Sequence, residues 1–305
     1  MAKADIAALL ALAAAFCIAV GNVMHQRSAV MHQRSAVIHQ RSAHVVTDEP
    51  VGHLTLFLSL LRDRRWWLGS AVAAAGFALQ AAALGLGSVL LVQAVLVTSL
   101  LFALPISARQ SHRRVTGWEW MWAALLAGAV IVIVTIGNPT AGQPRASLET
   151  WIWVAAVLGP LMALCLAGAK LWSGPISAVL LAVVSGTLWG LFAVLTKAVV
   201  DRLDVTSLDG LMELLHTPEL YAWALVAVGG TVMQQASFGA GALTASLPAM
   251  TVTEPMIAGT LGVVALGETL RPGAAGSLTI VIAVTVMVVA TTALARGQAA
   301  TRTAA

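Results

Sequence analysis

The sequence predicts an all-α polytopic membrane protein of about nine transmembrane helices arranged as two inverted-topology repeats. Three observations carry that expectation: charge is scarce, apolar runs of about 20 residues recur along the whole chain, and one Gly- and Gln-marked pattern occurs twice. Of the 305 residues 59% are hydrophobic and 10% are charged, against about 25% charged in an average soluble domain. So little polar surface cannot cover a soluble globule, whereas a run of about 20 apolar residues crosses a hydrocarbon core of about 30 Å.

The apolar runs place spans at 5–24, 66–84, 88–108, 117–137, 150–170, 176–199, 220–238, 243–266 and 273–294. Basic residues set the direction. With the N-terminus outside, the cytoplasmic side collects Arg27, Arg34, Arg41, Arg62, Arg64, Arg65, Arg109, Arg113, Arg114, Lys170, Arg296 and Arg302, a split of 12 against 5. The expected location is therefore the plasma membrane, multi-pass, N-terminus outside and C-terminus cytoplasmic. The first run continues into Gly21 and Asn22 without a small-x-small cleavage site and reads as a span, not a signal peptide. Leu54 to Leu61, followed by the basic and Trp-rich stretch up to Trp67, is too short to span and reads as interfacial.

Gly76, Gln80, Gly85 and Gly87 recur as Gly230, Gln234, Gly239 and Gly241 at a constant offset of 154 residues. The charge-derived topology runs these two segments in opposite directions, as an inverted repeat requires. The resulting organisation is a first repeat over 1–137 (four spans, with a cytoplasmic extension over 24–65), an external linker over 138–149, a second repeat over 150–294 (five spans), and a cytoplasmic tail over 295–305.

The extension contains three copies of a heptad, Met24 to Val30, Met31 to Val37 and Ile38 to His44. Seven residues are nearly two helical turns, so added copies lengthen a helix while barely rotating the residues beyond them. His25, His32 and His39 recur at a seven-residue interval, about 10 Å apart on a helix, too far to share one ion. A solvated basic stripe is the reading. Cys17 and Cys165 lie inside apolar runs and read as packing residues.

Among candidate functional residues Glu254 stands first. It lies midway along the 243–266 run, where an ionised side chain costs ~2.5 to 3.5 kcal/mol unless it faces a cavity or partner. Pro248 and Pro255 flank it and predict a helix break that frees carbonyls near the midplane. Asn22, Gln80, Gln93, Gln234 and Gln235 are amides in or near spans, able to line a polar path or to act as interhelical hydrogen-bond partners. Trp189 either lines a cavity or packs against other aromatics. Lys197 either snorkels, attracts an anion, or pairs with Glu254. Gly259 and Gly262 read as scaffold. No phosphate loop, zinc spacing or nucleophile constellation occurs, so no cofactor, no metal centre and no enzymatic activity are expected.

The stretch Ser246-Leu-Pro248 through Glu254-Pro255, Gly259, Gly262 and Leu266-Gly267-Glu268 resembles the second-repeat signature of the drug/metabolite transporter superfamily, the EamA-like branch in particular. Leu91-Val-Gln93 and a Leu-rich span ending Leu104-Pro105 look like the corresponding helix of its first repeat. The resemblance implies ten helices, five plus five, of which nine remain if the first is missing. Trp66-Trp67-Leu-Gly and Leu90-Leu-Val-Gln also resemble magnesium transporters of the NIPA type, usually drawn with nine spans.

The function expected is a secondary transporter of a small organic solute working by alternating access, with Glu254 as a site for proton coupling. A magnesium-like divalent-cation permease and a non-transporting membrane subunit are the alternatives. The expected partners are a small-molecule or ion substrate and the lipid bilayer, with a homodimer allowed and nucleic acid not expected. Ala-rich, Lys-poor usage suggests a high-GC bacterial source.

Overall fold

The computed structural model describes residues 3–42, 64–110, 114–203, 208–240, 243–271 and 276–304. Among these the chain forms eleven helices: α1 (Lys3–Ser42), α2 (Arg64–Leu86), α3 (Val89–Leu96), α4 (Ser99–Gln110), α5 (Gly117–Thr135), α6 (Leu148–Leu171), α7 (Pro175–Arg202), α8 (Leu208–Leu215), α9 (Pro218–Ala240), α10 (Leu243–Leu266) and α11 (Gly276–Ala304). Extended pairing among the described residues is limited to one bridge, Thr140 with Thr269.

Eight segments are long and apolar enough to cross a membrane: Lys3–Gly21, Trp67–Leu86, Val89–Ile106, Gly117–Thr135, Leu148–Leu171, Pro175–Arg202, Ser246–Val264 and Gly276–Gly297. The chain thus has the make-up of a polytopic α-helical membrane protein. Apolar side chains such as Leu164, Val228, Val264 and Leu278 stand exposed on the outside of the bundle, where lipid is the only solvent that tolerates them. α6 is the most peripheral helix. It packs on α7, where Gly168 meets Leu180 and the Ser177 hydroxyl donates to the Ala169 carbonyl (2.9 Å).

The expected span at 220–238 falls short on composition alone, because α9 carries Gly229, Gly230, Thr231, Gln234, Gln235 and Ser237. It nevertheless lies antiparallel along α7. Trp223 Nε1 donates to Thr196 Oγ1 (2.9 Å), Ser185 Oγ to the Gly230 carbonyl (3.0 Å) and Ser237 Oγ to the Ala178 carbonyl (2.9 Å). From Thr196 to Ala178 these contacts follow α7 for about 27 Å.

Helix ends alternate between two faces. On the face where α1 begins, Gly87 meets Ala7, Gly85 meets Val200, and the 137–143 linker docks on the loop after α10. The docking uses backbone bonds: Thr140 N–H to the Thr269 carbonyl (2.9 Å), Gln143 N–H to Leu266 (2.7 Å) and Arg271 N–H to Gly137 (2.9 Å). On the opposite face Gly297 of α11 lies beside Glu119, which closes a capping box with Thr116 at the start of α5. Within the bundle α1 pairs with α2, α7 with both α9 and α10, and α5 with α11.

Two expectations need correction or bounding. Neither Pro248 nor Pro255 breaks its helix, since α10 runs from Leu243 through both to Leu266. Within the same helix Thr251 donates to Leu247 O and Pro248 O and Thr253 to Ala249 O, while close packing against Gly186 and Gly190 of α7 supports the turns between the two prolines. The heptads do extend α1, whose backbone continues to Ser42. The side chains of Asn22, His25, His32 and His39, the segment 54–61 and Gly241 lie outside the described part of the structure.

Candidate functional site

The break expected at the prolines occurs instead between α3 and α4, at Val97 and Thr98. There the i to i−4 ladder gives way to i−3 bonds: Thr98 N–H to Val95 O (3.0 Å), Leu100 to Val97 (3.2 Å) and Leu101 to Thr98 (2.8 Å). The carbonyls of Ala94 and Leu96 thereby lose their usual helical donors. No proline or glycine marks this break in the sequence. One turn before it, Gln93 is 3% exposed, and its Nε2 has no hydrogen-bond partner among the described residues.

α7 and α10 approach closely beside Glu254. A Cβ on Gly186 would sit 2.8 Å from Thr253 Cβ and 3.2 Å from the Glu254 nitrogen, and one on Gly190 would sit 2.9 Å from Ile257 Cβ and 3.0 Å from the Glu254 carbonyl. Gly186 and Gly190 form a Gly-x-x-x-Gly pair, the spacing that lets two membrane helices touch backbone to backbone. Glu254 is half-buried there. Among the described residues no hydrogen bond or ion pair reaches its carboxylate.

On another face of α7 the expected cavity residue Trp189 belongs to an aromatic cluster. It stacks on Phe77 of α2 (centroids 5.9 Å apart, planes 8°) and meets Phe192 edge-on (5.2 Å), and Phe192 stacks on Trp223 of α9 (5.2 Å). Gly230 gives the indole room, its Cβ position being 3.3 Å from Trp189 Nε1. Gln80, one turn along α2 from Phe77, is buried. Gln234, one turn beyond Gly230, is half-buried and Gln235 exposed.

Lys197 does not snorkel and does not pair with Glu254. Its ammonium lies 2.8 Å from Glu268 Oε1, with the lysine 6% and the glutamate 0% exposed. Glu268 also accepts from the backbone N–H groups of Val89 (2.7 Å) and Leu90 (2.9 Å). Ser88 Oγ accepts from Leu91 (3.1 Å). All three leading donors of α3 are therefore satisfied inside the protein, and the carboxylate sits at the positive end of a helix dipole. The Leu266-Gly267-Glu268 turn makes this possible. Gly267 adopts φ +64°, ending α10, and the Glu268 N–H returns to the Gly262 carbonyl (2.9 Å). The side chain then folds over Gly262, where any Cβ would lie 2.8 Å from Oε2.

Each of three elements descends eight residues from this ion pair to mid-depth, about 12 Å at 1.5 Å per residue. Val89 leads down to the break at Val97, Lys197 to Trp189, and Gly262 to Glu254. A buried ionic layer therefore lies above a level holding a carboxylate with no partner among the described residues, the α3–α4 step and an aromatic cluster. From the sequence Lys197 is weighed against Glu254 only, and Glu268 enters as part of the Leu-Gly-Glu resemblance without a role of its own, while the Gly186–Gly190 spacing is legible and unused.

No family model matches the chain, and no solved structure matches it. An uncharacterised protein of Corynebacterium glutamicum is 38% identical over 295 residues, covering 95% of each chain. Likeness of that extent takes in the helices of the bundle, the ion-paired layer and the Glu254 region included, and the chain belongs to the family of that corynebacterial protein.

Proposed function

We propose that this protein is a secondary transporter of a small organic solute, in which Glu254 is the mid-depth coupling and binding group. The observation that carries the reading is the position of an unpartnered carboxylate on α10, level with the α3–α4 break and enclosed by close α7–α10 packing. An ionisable group at this depth is costly unless it serves a cavity or partner. A carboxylate without a fixed partner is free to hold a proton in one access state and to release it in the other.

The reading includes nine spans, α9 being the ninth, because it accompanies α7 across the bundle despite its polar composition. It also includes two inverted repeats, with α1–α2 equivalent to α7–α9. Gly76 of α2 meets Ile18 and Cys17 of α1, as Gly230 of α9 meets Leu188 and Trp189 of α7. The likeness to the drug/metabolite transporter superfamily, a plasma-membrane location and an external N-terminus belong to the same proposal. One observation favours a second reading: the carbonyls freed at Ala94 and Leu96 are hard ligands of the kind a divalent-cation permease uses.

A thermal-shift panel on the purified protein, comparing magnesium with organic amines, amino acids and drugs, tests both. Ligands that bind the native state raise its melting temperature by mass action. Stabilisation by an organic solute that vanishes in Glu254→Gln supports the transporter. Stabilisation by magnesium alone, unchanged in Glu254→Gln, transfers the assignment to the cation permease.

A further inference from the structure

We propose that Glu268, Lys197 and the first turn of α3 form a gate that closes one face of the protein over the mid-depth site. The inference rests on the transporter reading, but it is carried by different residues. Glu268 is the common acceptor for α3, which precedes the linker, and for Lys197 of α7, which comes after it. Its carboxylate and the Lys197 ammonium are both buried, so this layer admits no water as it stands. The linker locks the same loop from above through Gly137, Thr140 and Gln143.

What makes the layer a gate is the length of the element it holds. α3 is only eight residues long, and its far end is the Val97–Thr98 step, where the helical bonds change from i−4 to i−3. A short helix clamped at one end and hinged at the other has one natural motion, a swing about the hinge. Opening requires that the Val89 and Leu90 N–H groups exchange the Glu268 carboxylate for water and that the buried apolar side chains of α3 slide against their neighbours. Lys197 and Glu268 stay together on the other side, so no charge is left alone. Gln93 lies one turn inside the clamp, and its unpaired Nε2 would gain a partner once water or solute entered.

The test uses the full chain in vesicles of each orientation, with Cys17 and Cys165 replaced by Ala and Gln93→Cys as the reporter, labelled with a membrane-impermeant maleimide. The parent is expected to label slowly from the face bearing Glu268. Lys197→Met with Glu268→Gln, which strands no charge, is expected to label at least tenfold faster from that face. Unchanged labelling, in a variant whose elution and melting match the parent, overturns the gate. If that variant does not fold, Glu268→Asp, which keeps both charges and only shortens the reach, carries the same two outcomes. Faster labelling without any solute stabilisation leaves the gate standing and removes the organic-solute reading. Glu254-dependent stabilisation with unchanged labelling removes the gate alone.

Discussion

Replacing Lys197 by Met keeps the length of the aliphatic stem and deletes only the ammonium. Glu268 is then a fully buried carboxylate with two backbone N–H donors and no counter-charge. Removing one partner of a buried ion pair costs ~3 to 5 kcal/mol, because the remaining charge has lost its compensation and not its burial. Adding Glu268→Gln removes that charge. The new carboxamide still accepts from Val89, but its NH₂ group opposes the Leu90 N–H, a buried donor left unsatisfied at ~1 to 3 kcal/mol. The double variant is therefore expected to be more stable than Lys197→Met alone, although it carries one more substitution.

Equilibrium unfolding in detergent, monitored by the fluorescence of the chain's 10 tryptophans, measures all four corners of this cycle. The expected coupling is several kcal/mol in favour of the pair. A dry, mutually dependent pair is refuted if Lys197→Met lies within about 1 kcal/mol of the parent, or if the double variant is as unstable as the sum of the singles, since either result means that the pair is hydrated.

Gly190→Ala is expected to destabilise by ~1 to 3 kcal/mol, the usual cost of overpacking, because its Cβ would meet Ile257 and the Glu254 carbonyl at 2.9 to 3.0 Å. Gly128, with open space around its Cβ position, is the matched control, and Gly128→Ala is expected to leave the unfolding midpoint unchanged or raise it. A pH prediction concerns Glu219, in the first turn of α9, whose Oε1 accepts from Arg145 Nε (3.0 Å). Burial pushes this carboxyl up, but the Arg145 hydrogen bond, a backbone hydrogen bond and the charges of Arg145 and Arg202 together hold it below the usual carboxylate range. A depressed folded-state value stabilises above the unfolded value and is lost as the pH falls through the folded one. The melting temperature is thus expected to drop on acidification below about pH 4, and Arg145→Ala to flatten that drop. An unchanged acid limb in Arg145→Ala removes the pair as its cause.

The fold was legible wherever burial in lipid is decided by local composition. Runs such as 150–170 and 176–199 appear as α6 and α7 because about 20 consecutive apolar residues have no alternative to helix in hydrocarbon. The same criterion leaves α9 outside the eight apolar segments. A helix packed along another can carry Gly229, Gly230, Gln234 and Ser237 because its neighbour supplies the hydrogen bonds, as Ala178 does for Ser237. Hydropathy measures what lipid tolerates, and the side of α9 against α7 is not exposed to lipid.

The site divides along a different line. Glu254 stands out as a candidate from one residue alone, since a charge in an apolar run is anomalous without any knowledge of the fold. The prolines misled because their local meaning, a missing donor and a ring clash, is overruled when close packing against α7 holds the helix. The true break at Val97–Thr98 has no local cause in the sequence. It lies in the part of the fold where Glu268 pins Val89, a contact between residues 179 positions apart. Glu268 itself, directly after a Leu-Gly pair at a helix end, reads locally as a solvated C-terminal residue. Its burial arises from a left-handed Gly267, which turns the side chain back over Gly262 and toward an incoming helix N-terminus. Glycines at 262 and 267 therefore set the state of the nearest acid, one by vacating the space and the other by reversing the chain. Locating Glu268 from sequence requires asking what each glycine makes room for before asking where each charge belongs.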